Sequence, residues 1–340
     1  MSTSAEYYGT IRKEAYSTGI GRTPMLEFGN ASGTLYVKAE WYNRFRSVKD
    51  RAGFFMLKMA EMKSVLTKNR IIIEASSGNT GIAIASIAKL LGYSAEIYVP
   101  ASSSRETIAR LRDTGQKIVE VEDENSRAGK INIDASVRAL KERISEDPDR
   151  FVNFDQYSNA SNTLAHYYTT GPEVDFMNLG ITHVVTSIGT GGTVTGLAKY
   201  FKEKHPEVQI IAAQPSPDHH IQGLKNLSVS DVPPILESNR TLIDKWITVT
   251  DDDARAGVRA ILKRTGILVG LSSGANYMAG QMVLAGNPGT RILTVFPDSA
   301  EKYREQYVAS GTVDRKTFED CEEWFSMVPE NALKCSFSGS

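Results

Sequence analysis

The sequence predicts an α/β fold whose sheets are largely parallel. Across its 340 residues, short apolar segments rich in β-branched side chains alternate with helical patterns. Such alternation is typical of parallel strands joined by helices, and the length is enough for two domains or subdomains. The predicted strands cover residues 35–39, 71–74, 95–99, 117–121, 151–154, 183–188, 209–213, 246–249 and 292–296. The predicted helices cover residues 51–64, 81–91, 104–114, 131–144, 194–204, 252–265 and 275–284.

The elements follow from apolar patterns and from the breaks between them. Three isoleucines at 71–73 indicate a buried strand, and the helical segment that follows is apolar on nearly every face. In the helix predicted over 131–144, Val137 and Leu140 share one face while charged residues lie on the others. The polar, proline-containing segment 146–150 indicates a loop and a possible crossing between subdomains.

The composition argues against several classes of function. The chain has 39 basic and 40 acidic residues, so as a whole it lacks the charge of a nucleic-acid-binding or membrane-surface protein. No apolar stretch is long enough to span a bilayer, and the first residues lack the pattern of a signal peptide. Cys321 and Cys335 form neither a disulfide framework nor a zinc motif, which favours reduced thiols in a cytoplasmic protein.

The turn at residues 74–81 is the first candidate site. It reads Glu-Ala-Ser-Ser-Gly-Asn-Thr-Gly and joins a predicted strand to a predicted helix. A helix start offers unpaired N–H groups and a partial positive charge. The turn therefore suits an anion, either a phosphate or a carboxylate.

A second turn, Gly-Thr-Gly-Gly-Thr at 189–193, also joins a strand to a helix. Its glycines let the backbone approach an anion closely, and its threonines add hydroxyl donors. It is neither a P-loop, because no Lys-Ser/Thr follows, nor the spaced glycine motif of dinucleotide folds. A glycine-rich turn is often only a turn, but the end of a strand in an α/β sheet is where ligands bind, which favours a phosphate site.

Lys49 precedes the helix predicted over 51–64. A lysine near a helix start meets the positive end of the helix dipole, which is mildly unfavourable. It is either an ordinary exposed lysine or an amine kept for its chemistry. Positive surroundings lower the pKa of such an amine and make it a better nucleophile for a Schiff base.

Taken in order, Lys49 and the two turns resemble the fold-type II family of pyridoxal-phosphate (PLP) enzymes, and specifically its cysteine synthase and cystathionine β-synthase branch. The resemblance extends from Gly21 to about Tyr303. Further matching segments lie at 21–24 (Gly-Arg-Thr-Pro), 156–159 (Gln-Tyr-Ser-Asn), 166–173 (His-Tyr-Tyr-Thr-Thr-Gly-Pro-Glu), 219–223 (His-His-Ile-Gln-Gly), 270–274 (Gly-Leu-Ser-Ser-Gly) and 297–299 (Pro-Asp-Ser).

The resemblance implies a domain organisation. It implies two three-layer α/β/α subdomains with twisted, mostly parallel sheets, and a homodimer. Residues 1–45 would begin the large cofactor subdomain, 46–150 would form a smaller, mobile substrate-binding subdomain, 151–310 would complete the large PLP-binding subdomain, and 311–340 would form a tail.

The resemblance also assigns roles. Lys49 would form the internal aldimine with PLP, Asn79 would bind the phenolic oxygen of the cofactor, and Ser272 would bind its pyridine nitrogen. A neutral hydroxyl there does not enforce a pyridinium, which favours β-elimination over transamination. The phosphate would be held by Gly189, Thr190, Gly191, Gly192 and Thr193. The substrate carboxylate would be held by Ser76, Ser77, Gly78, Thr80 and Gln156.

The implied reaction is a β-replacement that forms L-cysteine. Lys49 would remove the α-proton of an activated serine, which requires the neutral amine. Loss of the β-substituent would leave an aminoacrylate, to which sulfide adds. Many cysteine synthases carry a small, glycine-containing run before the lysine, whereas this chain has Tyr-Asn-Arg-Phe-Arg-Ser at 42–47.

Arg44, Arg46 and Lys225 are candidates for binding the leaving group of the donor. Their cations suit a phosphate, although each is also consistent with a solvated side chain. They motivate the hypothesis that the donor is O-phosphoserine rather than O-acetylserine.

Other functions stay open. The acceptor could be homocysteine, as in a cystathionine β-synthase. A dehydratase is disfavoured because those relatives usually carry an aromatic residue before the lysine, where this chain has Val48. A catalytically silent binding protein on the same fold is a further alternative, against which the intact Lys49, Asn79 and Ser272 argue. The histidines do not gather into a metal site, and no metal is predicted.

Overall fold

A computed structural model of the chain describes residues 4–122, 133–321, 325 and 332–333. Within them, ten strands form one six-stranded and one four-stranded sheet. The strands are β1 (Met25–Asn30), β2 (Gly33–Ala39), β3 (Ile71–Ala75), β4 (Ala95–Pro100), β5 (Lys117–Val121), β6 (Phe151–Asn153), β7 (His183–Ser187), β8 (Gln209–Pro215), β9 (Lys245–Val249) and β10 (Thr290–Phe296). Every predicted strand is present.

Helices connect most of the strands. They are α1 (Ser4–Ser17), α2 (Lys49–Met62), α3 (Asn79–Leu91), α4 (Arg105–Asp113), α5 (Asp134–Glu146), α6 (Ala160–Ala165), α7 (Gly171–Asp175), α8 (Gly192–Lys204), α9 (Pro234–Glu237), α10 (Asp251–Thr265), α11 (Leu271–Gly286), α12 (Arg304–Ala309) and α13 (Arg315–Asp320). A π-helical turn, His166–Thr170, joins α6 to α7, and shorter 3₁₀ turns include Glu40–Tyr42 and Ala300–Lys302.

The six-stranded sheet has the order β1-β2-β10-β7-β8-β9. All of its pairs are parallel except β1 with β2, which form a hairpin with Met25 opposite Lys38. The sequence did not predict β1, because this edge strand exposes Glu27, Gly29 and Asn30 and lacks a clear apolar alternation. Helix α1 was also missed.

The four-stranded sheet has the order β5-β4-β3-β6 and is entirely parallel. Each of its faces is covered: Ile72 packs in one apolar cluster with Phe55 of α2, and Ile73 packs in another with Leu140 of α5. The larger sheet is covered on both faces in the same way. Two sheets with helices on both faces confirm the predicted α/β fold class, whereas the subdomain boundaries stay predictions.

Five helices begin earlier than the sequence predicted, α8 at Gly192 and α10 at Asp251 among them. Helix α2 begins at Lys49, α3 at Asn79 and α11 at Leu271. Lys49, Asn79 and Ser272 therefore lie in the first turns of helices, where N–H groups lack partners within the helix. Residues 131–132 of one predicted helix, Cys335 and most of the tail lie outside the described residues.

Candidate active site

The candidate site lies where strands end and helices begin. The turn after β3 leads into α3, the turn after β7 leads into α8, and the segment after β10 crosses the start of α2. Ligands bind at such carboxyl ends of strands in α/β folds. Side-chain hydrogen bonds join these segments, as the following contacts describe.

Lys49 lies beside the segment that follows β10. Ser47 and Asp298 form an isolated antiparallel bridge, and the N–H of Val48 donates to the carbonyl of Pro297 at 2.9 Å. Burial lowers the pKa of Lys49 to about 8, while the Asp298 carboxylate acts in the opposite direction. At neutral pH about a tenth of such an amine is uncharged, far more than for an ordinary lysine.

Asp298 is the centre of a buried polar cluster. Its Oδ2 accepts hydrogen bonds from Asn79 Nδ2 at 2.8 Å, Lys302 Nζ at 2.9 Å and the Tyr303 hydroxyl at 2.7 Å. Lys302 Nζ also donates to Asn79 Oδ1. Within the described part of the chain, the buried Oδ1 of Asp298 has no hydrogen-bond partner. Sequence reasoning assigned no role to Asp298 or Lys302, although Asp298 belongs to a family-matching segment.

Ser272 lies close to the same cluster. It is buried in the first turn of α11, and the hydroxyl of its neighbour Ser273 donates to the carbonyl of Asp298 at 3.2 Å. A Cβ atom at Gly270 would lie 2.1 Å from Asp298 Oδ1. Glycine at this position therefore lets the carboxylate pack against the start of α11.

The turn after β3 is ordered by its own serine. Ser76 Oγ accepts hydrogen bonds from the N–H groups of Gly81 at 2.9 Å and Gly78 at 3.3 Å. This hydroxyl oxygen is used within the turn, whereas Ser77 is partly exposed. Gln222 lies in the segment after β8 of the six-stranded sheet, and its Nε2 donates to the carbonyl of Ser77 at 3.0 Å.

A chain of hydrogen bonds connects the two predicted anion turns. The Thr80 hydroxyl donates to Gln156 Oε1 at 2.7 Å. Asn162 Nδ2 then donates both to the carbonyl of Gln156 at 2.8 Å and to Thr190 Oγ1 at 2.9 Å. The sequence did not single out Asn162, which nevertheless ties the turn after β3 to the glycine-rich turn after β7.

The glycine-rich turn is packed tightly from behind. Cβ atoms at Gly189 and Gly192 would lie 2.3 Å from the Gly223 carbonyl oxygen and 2.1 Å from Asn162 Oδ1. Gly191 has a φ of +85°, a conformation that favours glycine. The turn thus presents backbone at the start of α8, and side chains larger than hydrogen do not fit at these glycines.

The buried His166 contacts the partly buried Thr193 of this turn. His166 Nε2 lies 3.1 Å from Thr193 Oγ1, and its Nδ1 lies 2.9 Å from Thr170 Oγ1. Burial, aided by the Arg51 charge, lowers the pKa of His166 to about 3. The imidazole is therefore neutral at physiological pH and serves as a hydrogen-bond partner of the threonine.

The candidate leaving-group residues have different surroundings. Arg44 is exposed, and its guanidinium donates to the carbonyl of Thr18 at 3.0 Å. Arg46 has a φ of +77°, and its guanidinium donates to Glu301 Oε1 at 2.7 Å and to the carbonyl of Phe325. The N–H of Lys225 donates to the carbonyl of Ile188 at 2.8 Å, next to the glycine-rich turn. Its Nζ lies 4.6 Å from the centre of the Tyr157 ring. Lys225 therefore lies beside the predicted phosphate site, whereas Arg46 is paired with a carboxylate.

The loop that carries Arg46 is fixed by Asp50. Its Oδ2 accepts the N–H of Phe45 at 2.6 Å, and its Oδ1 lies 3.4 Å from the Ser47 hydroxyl. Burial raises the pKa of Asp50 to about 7. Asp50, the residue after Lys49, thus holds the backbone of residues 45–47, which precede Lys49.

No helix in the described ranges is long and apolar enough to cross a membrane.

Comparisons with known proteins match nearly the whole chain. A family model described as "Pyridoxal-phosphate dependent enzyme" matches residues 16–298. A cysteine synthase of Aquifex aeolicus is 36% identical over 276 residues, which are 79% of this chain and 82% of that protein. A cystathionine beta-synthase of Apis mellifera is 32% identical over 320 residues, 88% of this chain and 62% of that protein. The crystal structure of a hydrogen sulfide-producing enzyme of Fusobacterium nucleatum is similar with a TM-score of 0.79 at 30% identity, covering 96% of this chain and 99% of that one.

Proposed function

Because the chain belongs to the family of pyridoxal-phosphate dependent enzymes, we propose that it is a cysteine synthase, which replaces the β-substituent of an activated serine with sulfide. One observation carries the proposal: the partly buried Lys49 amine, with a pKa of about 8, lies beside the network that reaches both anion turns. The similarity to a cysteine synthase over most of both chains supports the same activity.

The described residues fit PLP. The glycine-rich turn lies at the start of α8, where backbone N–H groups are available to an anion, and added Cβ atoms at Gly189 and Gly192 would collide with Gly223 and Asn162. Among the described residues, the buried Oδ1 of Asp298 has no hydrogen-bond donor, so it can accept a hydrogen bond from a bound group beside Lys49. Lys49, Asn79, Ser272 and residues 189–193 would hold the cofactor. When bound, PLP withdraws electrons from the α-carbon of an attached amino acid, so that the α-proton and the β-substituent can leave.

Lys49 has the properties of the base in this reaction. Its lowered pKa leaves part of the amine neutral, and a neutral amine can take the α-proton. Ser77, Thr80 and Gln156 would bind the substrate carboxylate, with Thr80 and Gln156 held together by their mutual hydrogen bond. Ser76 would contribute by shaping the turn, because its oxygen accepts two N–H groups there.

The proposed donor is O-phosphoserine. Lys225 lies next to the glycine-rich turn and places a cation over Tyr157, where a phosphate leaving group would meet it. Arg46 would have to exchange Glu301 for the phosphate. Lys225 is therefore a stronger candidate than Arg46. The proposal also includes a homodimer, which the family resemblance supports, and a cytoplasmic location, which the cysteine usage supports.

Turnover of O-phosphoserine and O-acetylserine with sulfide tests the donor. We expect O-phosphoserine to be preferred, and Lys225→Met to raise the KM for O-phosphoserine about tenfold while changing that for O-acetylserine less than about twofold. Lys199→Met, on the exposed face of α8, is the matched control. A clear preference for O-acetylserine would contradict the proposed donor. Faster turnover with homocysteine than with sulfide would favour a cystathionine β-synthase instead.

A further inference from the structure

Lys302 is a buried cation to which the proposed reaction assigns no role. Its side chain is 4% exposed, and its Nζ donates to Asp298 Oδ2 at 2.9 Å and to Asn79 Oδ1. A lysine is rarely buried this deeply without a charged partner. The ammonium is therefore held in place by an aspartate and by an asparagine that is itself a proposed cofactor ligand.

The two ends of the Asn79 amide face opposite charges. Its Oδ1 accepts from the Lys302 ammonium, and its Nδ2 donates to the Asp298 carboxylate at 2.8 Å. Turning the amide over would place two donors against each other and two acceptors against each other. Lys302 and Asp298 together therefore select one orientation of Asn79.

Lys302 also compensates a charge beside Lys49. The antiparallel bridge between Ser47 and Asp298 brings that carboxylate next to the start of α2, where it favours the ammonium form of Lys49. An adjacent cation cancels much of this effect. The other charged or titratable groups that face Lys302 are Arg110 of α4, Glu301 and Tyr303; Arg110 and Glu301 pair with each other at 3.2 Å.

We propose that Lys302 is a positioning residue of this site, which holds the Asn79 amide in one orientation and cancels the Asp298 charge beside Lys49. The inference rests on the proposed roles of Lys49 and Asn79. The Lys49 amine would have to be uncharged to condense with the aldehyde of PLP, a reaction that would release one water. Without Lys302, the bare carboxylate stabilises the ammonium form of Lys49 and the condensation needs a higher pH.

The test is the rate at which the full-length chain, stripped of cofactor, develops a visible absorption band after mixing with PLP, measured across pH. We expect Lys302→Met to raise the midpoint of the pH profile by about one unit, because a nearby opposite charge shifts a pKa by about that much. Lys302→Arg retains the charge, so its midpoint should stay near that of the parent protein. Lys202→Met, which breaks a pair with Asp244 on the far side of α8, is the matched control and should not move the midpoint.

The double variant Lys302→Met with Asp298→Asn removes both charges and should return the midpoint to within a few tenths of a unit of the parent value. An unchanged midpoint in Lys302→Met would overturn the proposal. So would a double variant whose midpoint is shifted as far as that of Lys302→Met alone. If Lys302→Met does not fold, Asp298→Asn alone decides: its midpoint should fall, and an unmoved midpoint contradicts the inference. A band that survives Lys49→Ala would instead refute the proposed role of Lys49.

Discussion

Ser76 and Ser77 are neighbours in the turn after β3, but their surroundings give them different roles. Ser76 Oγ accepts the N–H groups of Gly78 and Gly81, as an N-capping side chain does. Ser77 is partly exposed, and its carbonyl accepts a hydrogen bond from Gln222. The first serine therefore maintains the turn, and the second is the better candidate for a substrate contact.

Ser77→Ala should leave PLP binding intact and weaken donor binding about tenfold, because it removes one hydrogen bond to a charged carboxylate. Ser76→Ala should lower the free energy of unfolding by about 1 kcal/mol, because the N–H groups of Gly78 and Gly81 lose their acceptor. Urea unfolding and a spectral titration with donor measure the two effects. If Ser77→Ala loses the visible band of bound PLP, the turn contacts the cofactor rather than the substrate carboxylate.

At the scale of elements, α2 is fastened to the large sheet by a buried charge network. Arg51, in the first turn of the helix, binds Glu40 at 2.6 Å and Glu173 at 2.6 Å, and Lys38 of β2 binds Glu173 at 2.8 Å. All four side chains are fully buried. Burial alone would raise the pKa of both glutamates, but the Arg51 charge outweighs it and holds both pKa values below the ordinary range. The network thereby fixes the helix start that carries Lys49.

Arg51→Met should lower the free energy of unfolding by about 3–5 kcal/mol, because it leaves buried carboxylates without their partner. Glutamates with a depressed pKa stabilise the fold above their unfolded-state pKa, and that stabilisation is lost as the pH falls through the folded-state values. In Arg51→Met, burial without the Arg51 charge raises the pKa of both carboxyls, so they protonate in mild acid, and the cost of the substitution should be larger near neutral pH than in mild acid. Chemical unfolding at both pH values measures this.

Arg255→Met is the matched control, since Arg255 pairs with the exposed Asp252 on α10, and it should change stability by less than about 1 kcal/mol. Equal losses in the two variants would show that the buried network contributes no more than a surface pair.

At the scale of the whole molecule, segments that follow strands of the four-stranded sheet contact segments that follow strands of the six-stranded sheet across the site. Asn79 meets Asp298, the carbonyl of Ser77 accepts from Gln222, and Arg110 of α4 pairs with Glu301. The last pair is partly exposed, and Glu301 also binds Arg46. These contacts link the turn after β3, α3 and α4 to the segments after β8 and β10.

Arg110→Ala should raise the KM for the donor several-fold and speed hydrogen exchange in α4, while lowering the free energy of unfolding by less than about 1 kcal/mol. The reason is that a partly exposed pair contributes little to stability but holds α4 against the segment after β10. Arg112→Ala on the same helix breaks a pair with Glu120 within the four-stranded sheet, and should leave KM unchanged. Similar KM changes in both variants would contradict a specific role for the contact with Glu301.

The sequence predicted the strands well and the helix starts less well. Runs such as Ile71–Ala75 are mostly apolar and largely buried in a parallel sheet, so their composition alone indicates them. The starts of α2, α3 and α11 were placed two to four residues late; at α3 and α11 the reason is that Asn79 and Ser272 have residue types that favour turns. In each case a site residue occupies the first turn of its helix.

The residues predicted for the cofactor and substrate were found from ordered motifs, and their roles stay proposals. The supporting residues could not be found in that way. Asn162, Asp298 and Lys302 act through partners 28, 219 and 223 residues distant in sequence. Such pairs depend on which segments the fold brings together, and no local pattern records them.

The sequence by itself determined the α/β class, the family and the dependence on PLP, because apolar periodicity and the order of motifs are local properties of the chain; the structure and the comparisons confirm all three. Only the tertiary structure decided that Ser76 serves its own turn, that Arg46 is held by Glu301, and that Lys302 and Asp298 surround Asn79. A residue's charge and hydrogen-bonding capacity are written in the sequence. The partner that satisfies them is set by burial, since a polar group removed from water must bind whatever the fold places beside it.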